Sequence, residues 1–231
     1  MILYWILLIG LPILLGLWAQ MRVKSAFGQW KQVAATSGVT GAQAARKILE
    51  ASNIHDVEVV EINDMLGDHY DPTQKRLCLS SDVYNTPSVA ALGIAAHECG
   101  HAIQHQKAYA PLQWRMAVVP MTMAVSSILP FIMIGGLFVP MLGMKLIMVA
   151  AVCYAVLAVF QLITLPVEFD ASRRAKAILQ QMGLVRAGEE ANGVNTVLNA
   201  AALTYVAAFV TVLSTLLYYV LILTGNRGER H

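Results

Sequence analysis

The sequence predicts a mainly α membrane protein, with about four transmembrane helices and one small α+β domain between the first and the second. Three observations predict it. The 231 residues are 57% hydrophobic and only 13% charged, with mean hydropathy +0.59, where an ordinary soluble domain carries about 25% charged residues. Four stretches are apolar over a length suited to roughly 30 Å of hydrocarbon. The segment between the first and second of them, Arg22 to Arg115, is polar, and its length is near that at which a single core becomes workable.

Residues 1–20 are the first span, an anchor without charge. It begins "MILYW", lacks the basic n-region of a signal peptide and is followed by Arg22 and Lys24, so it reads as retained. Residues 21–114 are the soluble domain. Residues 115–143 are the second span, uncharged between Arg115 and Lys145 but interrupted by Pro120, Pro130, Pro140 and Gly135-Gly136, which predicts a kinked or partly irregular segment. Residues 145–166 are the third span, closed by Pro166. Residues 167–198 form a cytoplasmic helix, and 199–224 the fourth span, with Tyr218 and Tyr219 as interface anchors.

Basic residues set the orientation. Nine, from Arg22 to Arg115, lie between the first two spans, and Arg173, Arg174, Lys176 and Arg186 lie between the last two, whereas the second-to-third connection has only Lys145. The positive-inside rule puts the two basic regions in the cytoplasm and both termini outside, with Arg227 and Arg230 as opposing charges. The expected location is the inner or plasma membrane, multi-pass, with lipid as one partner. A net charge of +2 without a basic stripe excludes nucleic acid. Cys78, Cys99 and Cys153 are odd in number and show no CxxC spacing, so they build neither a disulfide framework nor a thiolate metal site.

Within the soluble domain, Thr40 or Ser37 caps a helix over "GAQAARKILEAS". "HDVEVVEI" alternates like a strand, "NDMLGDHYDPTQK" is a loop rich in turn formers, and "RLCLS" is a second short strand. Ser88 caps the next helix, which carries "AALGIAAHECGHAIQH". The apolar lead of that helix, Val89 to Ala96, is too short to cross a membrane.

In "HECGH", His97 and His101 stand four apart and share one helical face, where two imidazoles can bind one tetrahedral metal. Glu98 lies beside that face, placed to act as a general base on water rather than as a ligand. The pattern arises by chance on the order of once in several hundred chains of this composition. Its context sharpens it: the neighbours Ala95, Ala96, Cys99, Gly100, Ala102 and Ile103 are uncharged, and burying two histidines and a glutamate among them without a partner is costly.

A catalytic zinc needs a third protein ligand. Lys107 stands where the HExxHxxGxxH pattern requires a third histidine, and His105 lies a full turn beyond the second, as a surface or supporting residue. The acidic candidates before the fourth span are Glu168, Asp170, Glu189 and Glu190, with "LPVEFDASRRAKAIL" the natural source; a carboxylate at a helix start can also simply face the helix dipole. Two crossings separate the motif from Glu168, which returns them to one side of the membrane in either orientation.

"DHYDP", "RLCLS" with "DVY", "VAALGIAAHECGHAIQH", "LPVEFDASRRA" and "VLNAAALTYVAA" together resemble the membrane-bound neutral zinc metallopeptidases of the bacterial YugP type, over nearly the whole chain. The resemblance implies a gluzincin-like membrane protease with a small zincin-like cytoplasmic domain. It implies one Zn2+ per chain held by His97, His101 and Glu168, with Glu98 as catalytic base. Prenyl-protein and HtpX-like proteases place an aspartate four residues after the ligand glutamate to orient a zinc histidine. Here that position is Ser172, and Asp170 lies about 200° round the helix from Glu168, a poor substitute.

The expected reaction is hydrolysis of peptide bonds in membrane-associated proteins or peptides. His69, Tyr70, Tyr84 and Tyr205 are unranked candidates for stabilising the oxyanion, and the edge of "RLCLS" is a candidate cradle for an extended substrate. The alternative is a catalytically silent zinc-binding scaffold or sensor. A transporter is disfavoured because the spans hold almost no ionisable residues. A homo-oligomer or a regulatory membrane partner stays open.

Overall fold

The computed structural model describes residues 2–64, 67–138 and 143–225. Pro140, Arg227 and Arg230, which entered the expectations above, lie outside the described residues. In chain order the elements are α1 (Ile2–Trp5), a π-helical turn (Ile6–Gly10), α2 (Leu11–Trp30), α3 (Gly41–Ala51), β1 (Glu58–Ile62), β2 (His69–Asp71), β3 (Arg76–Ser80), α4 (Ser81–Tyr84), α5 (Val89–Gln106), α6 (Ala110–Phe138), α7 (Gly143–Gln181) and α8 (Glu189–Gly225). Among the described residues, four helical stretches, Leu3–Trp30, Ala110–Ile132, Gly143–Gln181 and Glu189–Gly225, are long and apolar enough to cross a membrane. The chain divides into two compact units.

One unit comprises Met1–Ala19, Trp114–Leu165 and Thr204–His231. Its described helices turn Leu14, Trp18, Phe131, Val152 and Leu162 outward, the surface expected of helices whose solvent is lipid. Inside, Leu129, Ile132, Ala150, Ala151, Cys153 and Tyr219 form a cluster. Tyr219 is packed, its ring 5.5 Å from that of Tyr154. α6 stays helical through Pro120 and Pro130.

The other unit comprises Gln20–Gln113 and Pro166–Leu203. α3 starts in a capping box: the Gln43 N–H donates to Thr40 Oγ1 at 3.3 Å, and the Thr40 N–H donates to Gln43 Oε1 at 3.1 Å. Its buried face, Ala44, Ala45, Ile48 and Leu49, lies against α5, where the Cys99 thiol reaches the Ala45 carbonyl. α5 begins where Ser88 Oγ accepts the Ala91 N–H at 3.2 Å, and almost every residue along it is buried. An apolar helix of that kind needs neighbours on all sides.

The sheet order is β1-β3-β2, with β1 parallel and β2 antiparallel to β3. "RLCLS" is thus the central strand, paired with β1 over its whole length and with β2 over Arg76, Leu77 and Cys78, and not the edge strand expected as a substrate cradle; that expectation is corrected. The reason is β2, "HYD", three residues inside the segment read as a loop, too short to alternate visibly yet recruited by β3 in the register His69↔Cys78. Leu77 and Leu79 of β3 join Ile48, Val83, Leu92, Leu179, Val194 and Leu198 in the core, each worth about 1.5–3 kcal/mol of burial.

Pro166 does not end a helix: α7 is continuous from Gly143 to Gln181. Proline removes one backbone hydrogen bond, but Val167, Ala171, Ala175 and Leu179 beyond it are fully buried, and packing overrides the local cost. At the start of α8, the buried Glu190 carboxylate accepts the Thr36 N–H at 2.9 Å, the Arg186 N–H at 2.8 Å and the Thr36 hydroxyl. This clamps the loop after α2 to α8.

Candidate metal centre

The four-residue spacing of His97 and His101 stacks their rings one turn apart on α5, with centroids 4.8 Å apart and planes nearly perpendicular. Gly100, between them in sequence, lets α7 come close: a Cβ there would lie 2.8 Å from the Ala171 carbonyl oxygen. That approach delivers Glu168, 1% exposed, to both rings. Glu168 Oε2 is 3.2 Å from His97 Nε2 and 3.6 Å from His101 Nε2.

Burial pushes the Glu168 carboxyl up, but the His101 and His97 rings beside it outweigh burial and hold it well below the usual carboxylate range. For His101 burial acts downward, and the nearby Glu168 carboxylate together with the charge of Glu98 reverses it to a net rise. Glu98 itself is 7% exposed. Its charge also adds to the upward push that burial gives Asp68, whose carboxylate accepts from the Ser80 N–H at 2.8 Å.

Each ring has a second polar neighbour on its Nδ1 side. Ser172 Oγ is 3.1 Å from His97 Nδ1. Gln104 Oε1 is 3.0 Å from His101 Nδ1, and the Gln104 amide nitrogen donates to the Val167 carbonyl and to Asp170 Oδ2, both at 2.9 Å. Asp170 is in turn paired with Arg173 and Arg174. Asp170 therefore reaches His101 indirectly, through Gln104, which sequence reasoning did not single out. The available signal was a glutamine three residues after the second histidine on a helix otherwise too apolar to hold it.

His105, His69 and Tyr84 have hydrogen-bond partners outside this cluster. His105 Nδ1 is 2.9 Å from the Tyr70 hydroxyl, which burial pushes up to about 12. His69 is exposed, with Nδ1 2.7 Å from the Gly67 carbonyl oxygen. The Tyr84 hydroxyl accepts from Arg46 at 2.7 Å. Tyr205 lies on α8 in the other unit, half-buried.

His97, His101 and Glu168 offer donor atoms that all lie within 4.8 Å of one another, a group able to hold a metal ion. The donor chemistry fits zinc. Two imidazole nitrogens and a carboxylate oxygen on a tetrahedral zinc, with bonds of about 2.0–2.2 Å, stand about 3.3–3.5 Å apart, and the observed 3.2 and 3.6 Å bracket that separation.

A chain with four membrane-length helices and a buried His-His-Glu cluster falls in the class of membrane proteins with a candidate metal centre. The family model described as "putative neutral zinc metallopeptidase" matches residues 4–224, and the chain belongs to that family. It is 45% identical over 215 residues, 93% of its own length and 94% of the relative's, to the "putative membrane protease YugP" of Bacillus subtilis (strain 168). No solved structure matches the chain.

Proposed function

We propose that the chain is a zinc-dependent membrane endopeptidase that hydrolyses peptide bonds in membrane-associated proteins or peptides. One zinc is held by His97 Nε2, His101 Nε2 and the Glu168 carboxylate, with the site on the cytoplasmic side. The observation that carries the reading is the convergence of those three donors beside Glu98. A metal-binding site alone has no use for Glu98.

Bound zinc supplies a Lewis acid that polarises the scissile carbonyl and makes water acidic enough to lose a proton near neutral pH. Glu98 accepts that proton as water adds to the carbonyl carbon and delivers it to the amine as the C–N bond breaks, ending as it began. With Nε2 taken up by the metal, the His97 Nδ1–H would donate to Ser172 Oγ, 3.1 Å away, and keep that ring's Nε2 turned inward.

Glu98→Gln tests the reading on the purified full chain in lipid. It is expected to keep zinc at wild-type stoichiometry and to lose casein cleavage by about 100-fold or more. Wild-type protein that holds zinc yet cleaves no substrate in detergent or lipid would instead point to a silent scaffold.

A further inference from the structure

We propose that Gln104 is a positioning residue that fixes the tautomer of His101, held in its own orientation by Val167 and Asp170. The inference rests on the metal reading only for its consequence, not for its geometry.

The orientation of the Gln104 amide follows from its neighbours. The Val167 carbonyl and the Asp170 carboxylate, each 2.9 Å away, are both acceptors. Both N–H groups of the amide must face them. That leaves Oε1, an acceptor, facing His101 Nδ1 at 3.0 Å. Gln104 is fully buried, so no water replaces a missing donor there, and only a ring N–H satisfies the oxygen. The competing acceptor, Glu168 Oε2, stands 3.6 Å from Nε2, beyond ordinary hydrogen-bond reach, so the neutral His101 ring carries its proton on Nδ1 and presents the Nε2 lone pair to the centre.

Ser172 differs in kind. A hydroxyl both donates and accepts, so its 3.1 Å contact with His97 Nδ1 suits either ring form. Gln104, with its donors already committed, permits one. Asp170 is 6% exposed and is held by Arg174 and Arg173, so the fixing runs from the cationic face of α7 to the ring. It occupies the place in this centre that an orienting carboxylate would otherwise fill.

The test uses the full chain in lipid nanodiscs, with histidine ring nitrogens labelled and the His101 signal assigned by its loss in His101→Asn. In metal-free protein, at a pH where the ring is neutral, the wild type is expected to show the proton on Nδ1. Gln104→Met, similar in shape but without acceptor or donors, is expected to shift His101 toward the Nε2–H form and to weaken zinc binding in chelator competition by about 10–100-fold. A proton on Nε2 in the wild type overturns the proposal, whether or not any variant folds. So does a Gln104→Met protein with unchanged tautomer and zinc affinity. Wild-type protein that shows the Nδ1–H form but takes up no zinc supports the role of Gln104 and overturns the zinc reading alone.

Discussion

A methyl group on Gly100 would meet the carbonyl oxygen of Ala171 at 2.8 Å and its Cα at 3.1 Å, so α5 and α7 approach to a distance only glycine allows. The obstacle is backbone rather than a movable side chain. Gly100→Ala is expected to force α7 outward, lowering stability by about 1–3 kcal/mol despite alanine's better helix propensity. It should also weaken zinc binding, because Glu168 moves with the helix. Gly93→Ala on the same helix meets Val194 at an ordinary 3.6 Å and is expected to be neutral or to gain up to about 1 kcal/mol. Thermal midpoints and zinc titrations of the two variants check the contrast; equal behaviour would refute it.

Glu168→Gln is expected to lose most of the bound zinc. The amide keeps the shape of the carboxylate but not the charge that two inward-facing imidazoles need. Metal analysis after dialysis against a weak chelator reads this directly, and a variant with full zinc occupancy would remove Glu168 from the ligand set.

Ser172→Ala deletes the only hydroxyl that hydrogen-bonds a candidate ligand ring among the described residues. The expected loss is about tenfold to a hundredfold in zinc affinity with little change in fold, since the site tolerates a smaller side chain. Competition with a chromogenic chelator measures it.

The Glu190 clamp makes stability depend on acid. Burial pushes this carboxyl up, yet the hydrogen bonds from Thr36 and Arg186 bring it below its ordinary value of 4.5. A depressed folded value means the contribution is complete above 4.5 and is lost as pH falls through the lower folded value. Glu190→Gln should therefore lie below wild type in thermal midpoint at neutral pH, with the gap closing as pH drops below that value. A gap that stays constant with pH would contradict the assignment.

Much of this was legible in the chain itself. The membrane-length helices follow from apolar runs, because lipid demands continuous stretches that composition reveals. Ser88 and Thr40 were readable as caps because capping is a local chemistry of a few residues. What escaped depends on distant partners. β2 is a strand because β3 pairs with it, not because "HYD" alternates. Pro166 leaves α7 unbroken because Val167 and Ala171 are packed beyond it. Gln104 looks like any helix glutamine until α7 supplies Val167 and Asp170. Asp170, measured only by its angle from Glu168, pointed the wrong way for direct contact with a histidine.

Everything α7 offers to the two histidines comes from Val167 to Ser172, a turn and a half of helix. During synthesis His97 leaves the ribosome 71 residues ahead of Glu168. A growing chain therefore displays the HECGH helix for a long interval with neither the acidic donor nor the groups that steady its rings. On the proposed reading, full metal capture would wait until that one short piece has been made and docked, and an unfinished or misassembled copy would carry the motif without the centre.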